Sequence, residues 1–292
     1  MSLPKLKCQN NVIAVNELTK KQVIGKLPKR PRDANKGTFG KVLVFAGSEN
    51  YPGAAYLACE AVYRVGAGLV TLATIPEVKI IVSRKLPEVT FLSSSESFKK
   101  LKEFDVVLLG PGLGQSKQSI NLIYRLLKEK LPKIIIDGDG LNLLSRIEKW
   151  WDKLGDETIL TPHPGEMFRL TGLSIEQIQS DRENIAKQFA KKWNKIIVLK
   201  GANTVIVSPG RGVTVAPFAN PLLATAGTGD VLSGAIAGFT AQGLKLLDAA
   251  ACGVYIHGLA GETLKERFGN TGLLASDLLL VLPKVIKQLS SY

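Results

Sequence analysis

The sequence predicts an α/β fold, a doubly wound αβα sandwich with a mostly parallel central sheet and an antiparallel meander at one edge. Three observations carry this. Short runs rich in β-branched residues alternate with segments of helical periodicity throughout the chain after residue 36. The runs are continuously apolar, as in strands covered on both faces. Most of them end in a loop of glycine, proline and polar residues, which is where an open α/β sheet places its ligands.

The elements follow in order. Met1 to Asn35 holds six lysines, two arginines and three prolines around one short apolar stretch, Asn11 to Leu18, and reads as an arm or the end of a linker. Residues 36–292 read as one domain, because no Pro/Ser-rich linker or charge block divides them. Lys41 to Ala46 is the first strand, and Ala54, Leu57, Ala58, Ala61, Val62 and Val65 then recur at helical spacing. Leu69 to Ala73, Val89 to Leu92 and Asp105 to Leu109 are further strands, followed by a helix marked by Ile120, Ile123 and Leu127. Lys133 to Ile136 and Thr158 to Leu160 extend the sheet, and Ile185, Phe189 and Trp193 mark the next helix. Lys195 to Leu199, Thr204 to Val207 and Gly212 to Ala216 are separated only by turn formers, Gly201-Ala202-Asn203 and Ser208-Pro209-Gly210-Arg211, and so predict the meander. Helices from Thr228 to about Ala241, Leu247 to Arg267 and Ala275 to Gln288 close the chain.

Composition narrows the function. The first residues lack the apolar core of a secretory signal, and the most apolar region, Val231 to Gly261, is broken by Lys245, Asp248 and six glycines, so it predicts two packed helices and no membrane span. Cys8, Cys59 and Cys252 are far apart, with no metal-ligand spacing, which predicts a reduced cytoplasmic protein without structural zinc. A net charge of +13 favours polyanionic ligands. Because the basic residues are dispersed, without Arg/aromatic interleaving, nucleotides fit better than nucleic acid.

The chemistry concentrates in Ala224-Thr225-Ala226-Gly227-Thr228-Gly229-Asp230-Val231-Leu232, followed by small residues at Ser233, Gly234, Ala235 and Ala237. Its glycines leave backbone N–H groups uncovered at a helix start, where the macrodipole favours an anion, and Asp230 sets a carboxylate beside that hole. An anion site next to a base suits phosphoryl transfer to a hydroxyl; by itself the motif is equally plain capping chemistry. Four more strand-end loops carry Gly47 to Ala55, Gly110-Pro111-Gly112-Leu113-Gly114, Asp137-Gly138-Asp139-Gly140 and Thr161-Pro162-His163-Pro164-Gly165-Glu166, and Lys200 opens a fifth. Each has a structural reading: the glycines as tight turns, His163 as a local hydrogen-bond partner, Glu166 as first-turn charge.

Taken together and in order, Lys36 to Ser48, Tyr51-Pro52-Gly53-Ala54-Ala55, Thr161 to Glu166, Lys200-Gly201-Ala202-Asn203-Thr204 and Ala224 to Gly234 resemble the NAD(P)H-hydrate dehydratase family of the ribokinase-like superfamily, from about Lys36 to Leu289. The resemblance implies an ADP-dependent (S)-NAD(P)H-hydrate dehydratase, with ATP as the donor in eukaryotes. It would phosphorylate the C6 hydroxyl of NADHX or NADPHX and eliminate phosphate, restoring NAD(P)H and releasing AMP. Asp230 would be the catalytic base; Ala54, Gly112, His163 and Asp230 would bind the hydrate; and Lys200, Gly201, Ala202, Asn203, Thr204, Thr228 and Gly229, within Lys200 to Thr204 and Asn220 to Gly229, would bind nucleotide. Related kinases carry Asn-x-x-Glu where this chain has His163 and Glu166, so Glu166, with Asp139 second, is assigned to the Mg2+ environment. Relatives often carry an N-terminal epimerase domain acting on the same substrate, and the apolar C-terminal helices suit a homo-oligomer. The competing expectation is a ribokinase-like kinase of a small hydroxymethyl compound, such as a thiamine precursor.

Overall fold

Residues 14–290 are described by a computed structural model. Among these described residues ten strands form one sheet: β1 (Val15–Glu17), β2 (Lys41–Phe45), β3 (Leu69–Ala73), β4 (Thr90–Leu92), β5 (Val106–Leu109), β6 (Lys133–Ile136), β7 (Thr158–Leu160), β8 (Ile196–Leu199), β9 (Val205–Val207) and β10 (Val213–Val215). Their order is β1-β10-β9-β8-β7-β6-β5-β2-β3-β4. Only β9 runs against the rest, pairing antiparallel with both β8 and β10. The fold is therefore the expected αβα sandwich, with the meander at β8–β10.

Among the described residues twelve α-helices accompany the sheet: α1 (Lys20–Ile24), α2 (Pro52–Arg64), α3 (Pro76–Lys85), α4 (Ser94–Lys99), α5 (Lys117–Leu126), α6 (Asp139–Leu144), α7 (Pro164–Thr171), α8 (Ile175–Ser180), α9 (Arg182–Trp193), α10 (Thr228–Ala241), α11 (Leu246–Phe268) and α12 (Ala275–Ser290). Alternate strand residues face opposite layers, as a period of two requires. Val42, Val44, Val106 and Leu108 join the core under α2, α10, α11 and α12, whereas Leu43, Phe45, Val107 and Leu109 join the one under α5, α6, α7 and α9. Both faces are covered, which is why these strands read as unbroken apolar runs.

The arm expected over residues 1–35 needs correction where it is described. Val15–Glu17 pairs parallel with β10 at the sheet edge, Thr19 caps α1 through a capping box, and Leu18 and Val23 are buried in the core. The misreading has a physical cause: three residues of edge strand and five of helix carry too little periodicity to stand out among lysines. Cys8 and the start of the Asn11–Leu18 stretch lie outside the described residues.

Two contacts set up the site. The chain passes from β2 outward through β3 and β4 and returns to β5 on the other side of β2, so a topological switch point lies between β2 and β5. Opposite it, α10 packs on α2 at backbone range: a Cβ on Gly234 would come 2.4 Å from the Ala58 carbonyl oxygen, and one on Gly238 would come 2.8 Å from that of Val62. Paired contacts at 58/234 and 62/238 mean that the two helices run side by side in the same direction, which carries Asp230 to the level of Ala54. Most of α11, which was expected to support subunit contacts, is buried within the chain's own core.

Candidate active site

Helix α10 begins at Thr228 behind Gly227, whose φ of 91° only glycine adopts readily. No side chain caps it; Thr228 N–H turns back to Thr225 O at 3.3 Å, leaving the N–H groups of Gly229 and Asp230 open to an anion. Lys200, at the end of β8, reaches the turn from the opposite side, with Nζ 3.4 Å from where a Cβ on Gly229 would lie. His163, Lys200, Thr228 and Gly229 line a single cavity of about 710 Å³; Asp230 is not among its lining residues but follows Gly229 directly, within electrostatic reach of Lys200.

The lysine is the hub of a buried charge cluster. Its Nζ lies 2.5 Å from Asp137 Oδ1 and 3.6 Å from Glu166 Oε2, and both carboxylates are almost fully enclosed. Thr161 Oγ1 donates to the same Asp137 oxygen at 2.8 Å. Burial alone would lower the Lys200 pKa, but Asp137 and Glu166 outweigh it and the group is held firmly protonated. Asp230 is pushed up to about 7, by burial first and by the charge of Asp137 second, with Lys200 pulling the other way. Burial also raises Glu166 against the pull of Lys200. Such a carboxylate, poised near neutrality, is suited to proton transfer.

His163 is the N-cap of α7. Its Nδ1 accepts from the backbone N–H groups of Gly165 and Glu166 at 3.0 and 3.3 Å, while its own N–H donates to Glu166 Oε2 at 2.7 Å, closing a capping box. Burial and then Lys200 lower its pKa to about 4, so the ring stays neutral, with its proton on Nε2. His163 is thus a local hydrogen-bond partner on one ring nitrogen, while the other, Nε2, lies 3.4 Å from Glu166 Oε1 and the residue lines the cavity. The expectation of a local hydrogen-bond partner is met by this cap.

At the switch point the loops after β2, β5 and β6 lock together. Gly47 N–H donates to Pro111 O at 2.9 Å and Ser48 Oγ to Gly112 O at 2.8 Å. A Cβ on Gly112 would lie 2.6 Å from that of Ala54, so these two expected substrate residues are neighbours. Asp139 binds this assembly: its carboxylate accepts from Gly114 N at 2.9 Å, Gln115 Nε2 at 3.2 Å and Asn142 Nδ2 at 3.3 Å.

A profile described as NAD(P)H-hydrate dehydratase matches residues 42–284. The chain belongs to the NAD(P)H-hydrate dehydratase family. It is 44% identical over 265 residues to a bifunctional NAD(P)H-hydrate repair enzyme Nnr of Coxiella burnetii, an alignment covering 88% of this chain and 52% of the relative. This chain thus spans about half the length of the first curated relatives it matches. Among solved structures it resembles an ADP/ATP-dependent NAD(P)H-hydrate dehydratase of Bacillus subtilis co-crystallised with ATP/Mg2+, with 33% identity, TM-score 0.84, and 94% and 99% of the two chains covered. A ribokinase-like superfamily protein of Enterococcus faecalis matches with 28% identity and TM-score 0.83, covering 97% and 100%. The fold is ribokinase-like.

Within this family member, Lys200, Gly201, Ala202, Thr204, Thr228 and Gly229 line the cavity together. Asn203 does not: its backbone is left-handed at φ 53° and its N–H donates to Phe218 O at 2.8 Å, so it builds the β8–β9 turn. Three contributors escaped the sequence reading. Asp137 was legible as a carboxylate closing an apolar strand, but Asp139 was chosen in its place. His257 was visible as a lone polar residue inside an apolar helix. Arg182 carried no signal; its guanidinium donates to the carbonyls of Leu199 and Ala202 and clamps the glycine turn from α9.

Two expectations have narrower outcomes. Among the described residues, no group of three or more His, Cys, Asp or Glu could hold a metal ion, and no helix is long and apolar enough to cross a membrane. Cys59 and Cys252 are buried free thiols.

Proposed function

We propose that this chain is an ADP-dependent (S)-NAD(P)H-hydrate dehydratase that regenerates NADH and NADPH from NADHX and NADPHX. The observation carrying the reading is the placement of Asp230 in the uncapped first turn of α10, next to Thr228 and Gly229 of the nucleotide-sized cavity and level with Ala54 on α2. The activity for which the family is named and the ADP/ATP-dependent relative support it over a kinase with a stable phosphorylated product.

The terminal phosphoryl group of ADP lies at the Gly227–Gly229 turn, where N–H groups and Lys200 receive its charge. The hydrate lies in the crevice of Ala54 and Gly112, its C6 hydroxyl facing Asp230. As the hydroxyl oxygen bonds to phosphorus and the bond to AMP breaks, Asp230 takes the hydroxyl proton, a contribution of roughly 10²–10⁴ in rate. His163 Nε2–H donates to oxygen at the reacting centre. The C6–O bond then breaks with its electron pair leaving on phosphate, the adjacent ring carbon releases its proton to water, and the dihydropyridine is restored. Positioning and electrostatics supply most of the effect.

Mg2+ takes oxygen ligands and keeps several waters and phosphate oxygens. Glu166 suits it, being a buried carboxylate facing the cluster at the phosphate end; when bound, the ion would offset phosphate charge. Asp139 suits it poorly, because three hydrogen bonds commit it to the glycine loop. We assign residues 36–292 to the catalytic domain. We further propose a cytoplasmic homo-oligomer working alongside an epimerase activity on the same hydrates, as the bifunctional relatives suggest.

The test is turnover of NADHX with ADP or ATP and magnesium, followed by absorbance of reduced nicotinamide. Asp230→Asn should lower turnover at least a hundredfold while nucleotide affinity changes little. Unaltered turnover would remove the proposed base, and phosphorylation of a thiazole or pyrimidine alcohol without NADH formation would favour the kinase.

A further inference from the structure

His257 stands inside the apolar run of α11 and is 7% exposed. Its Nε2 lies 2.9 Å from the carbonyl oxygen of Thr228. A carbonyl only accepts, so Nε2 carries the proton and Nδ1 of the neutral ring is a bare lone pair. Burial lowers the pKa to about 4 against the pull of the Thr228 bond, aided by Lys200, which keeps the ring neutral. Among the described residues nothing donates to Nδ1, yet it is not among the sealed, unsatisfied polar atoms. The ring lines the 710 Å³ cavity, so the lone pair opens there.

The position of the ring along the cavity indicates what it meets. The lining combines apolar Ala216, Phe218, Leu223 and Val254 with Lys200, Gly201 and the α10 turn. A nucleotide bound here would set its base on the apolar side chains and its phosphates at Lys200 and the turn, with its sugar in between. His257 bonds to Thr228 of the turn, while Val254 and Gly258, one turn away and adjacent on its own helix, also line the cavity, Gly258 against the Phe218 ring. A lone pair repels phosphate oxygens and requires a donor, and the donors at this level of a nucleotide are its ribose hydroxyls.

We propose that Nδ1 of His257 accepts a hydrogen bond from a ribose hydroxyl of the bound nucleotide, joining sugar recognition to the turn that carries Asp230. This rests on the reading that the cavity takes ADP. Because the same ring holds the Thr228 carbonyl, sugar binding and turn geometry reinforce one another through a polarised chain of hydrogen bonds.

Binding by calorimetry and turnover are compared for ADP, 2′-deoxy-ADP, 3′-deoxy-ADP and inosine 5′-diphosphate, with the wild type, His257→Phe and His257→Gln. One deoxy analogue should bind the wild type about tenfold more weakly. His257→Phe should bind ADP about tenfold more weakly and no longer distinguish the two, while His257→Gln, which keeps a donor for Thr228 and an acceptor for the ligand, restores discrimination. Equal binding of both deoxy analogues by the wild type overturns the proposal, even if His257→Phe does not fold. So does a loss confined to inosine diphosphate, which would give the lone pair to the base amine. If ADP neither binds nor supports turnover, the cavity reading fails instead.

Discussion

Replacing Lys200 with methionine tests the charge cluster most directly. At an effective dielectric constant of about 20, the ammonium at 2.5 Å from Asp137 and 3.6 Å from Glu166 is attracted by about 7 and 5 kcal/mol respectively. Most of this offsets the cost of burying the three charges. What the variant exposes is the remainder plus two enclosed carboxylates without a counter-charge, about 3–5 kcal/mol. At roughly 2–4 °C per kcal/mol for a chain of this size, Lys200→Met should melt about 10 °C lower, as read by calorimetry at pH 8 without nucleotide or magnesium. The sign with pH is fixed. Unpaired carboxylates have folded pKa values above their unfolded ones, so the deficit is greatest at high pH and shrinks as pH falls through those raised values. Asp137→Asn should rescue Lys200→Met in part, because the two changes act on one pair. A melting loss below about 2 °C, a deficit independent of pH, or strict additivity of the two variants would refute the reasoning.

Two other outcomes follow from the site. Because burial and Asp137 hold Asp230 at about 7, turnover should rise with unit slope below that pH and level off above it, as the carboxylate form becomes available to accept the proton; a pH–rate profile flat from pH 5 to 8 would exclude Asp230 as the base. In Gly112→Ala, the new Cβ would meet Ala54 and Tyr51 at 2.6–2.8 Å from a backbone at φ 55°, so the crevice must open. A displacement near 1 Å can cost on the order of a hundredfold, and KM for the hydrate should rise while calorimetry shows ADP affinity unchanged.

The sequence by itself determined the layers, the meander and the site's main parts, because each was written in a local pattern. Unbroken apolar runs mark strands covered on both faces, and β9 was recognisable from the two short turns around it. The turn at Gly227–Asp230 was legible because an uncovered helix start needs glycine and cannot be built from other residues at φ 91°. The choice of Asp137 over Asp139 was not legible. Both follow the same strand, and only the approach of β8, dozens of residues later, brings Lys200 to one of them while Gly114 claims the other. The same holds for β1, whose partner β10 lies almost two hundred residues away, and for Arg182 and His257, which act on loops from neighbouring helices. Such assignments depend on which side chain a distant element meets, and on the burial that tunes Asp230 toward neutrality. Pairing across the sheet and desolvation belong to the assembled chain, so the tertiary structure alone decided them.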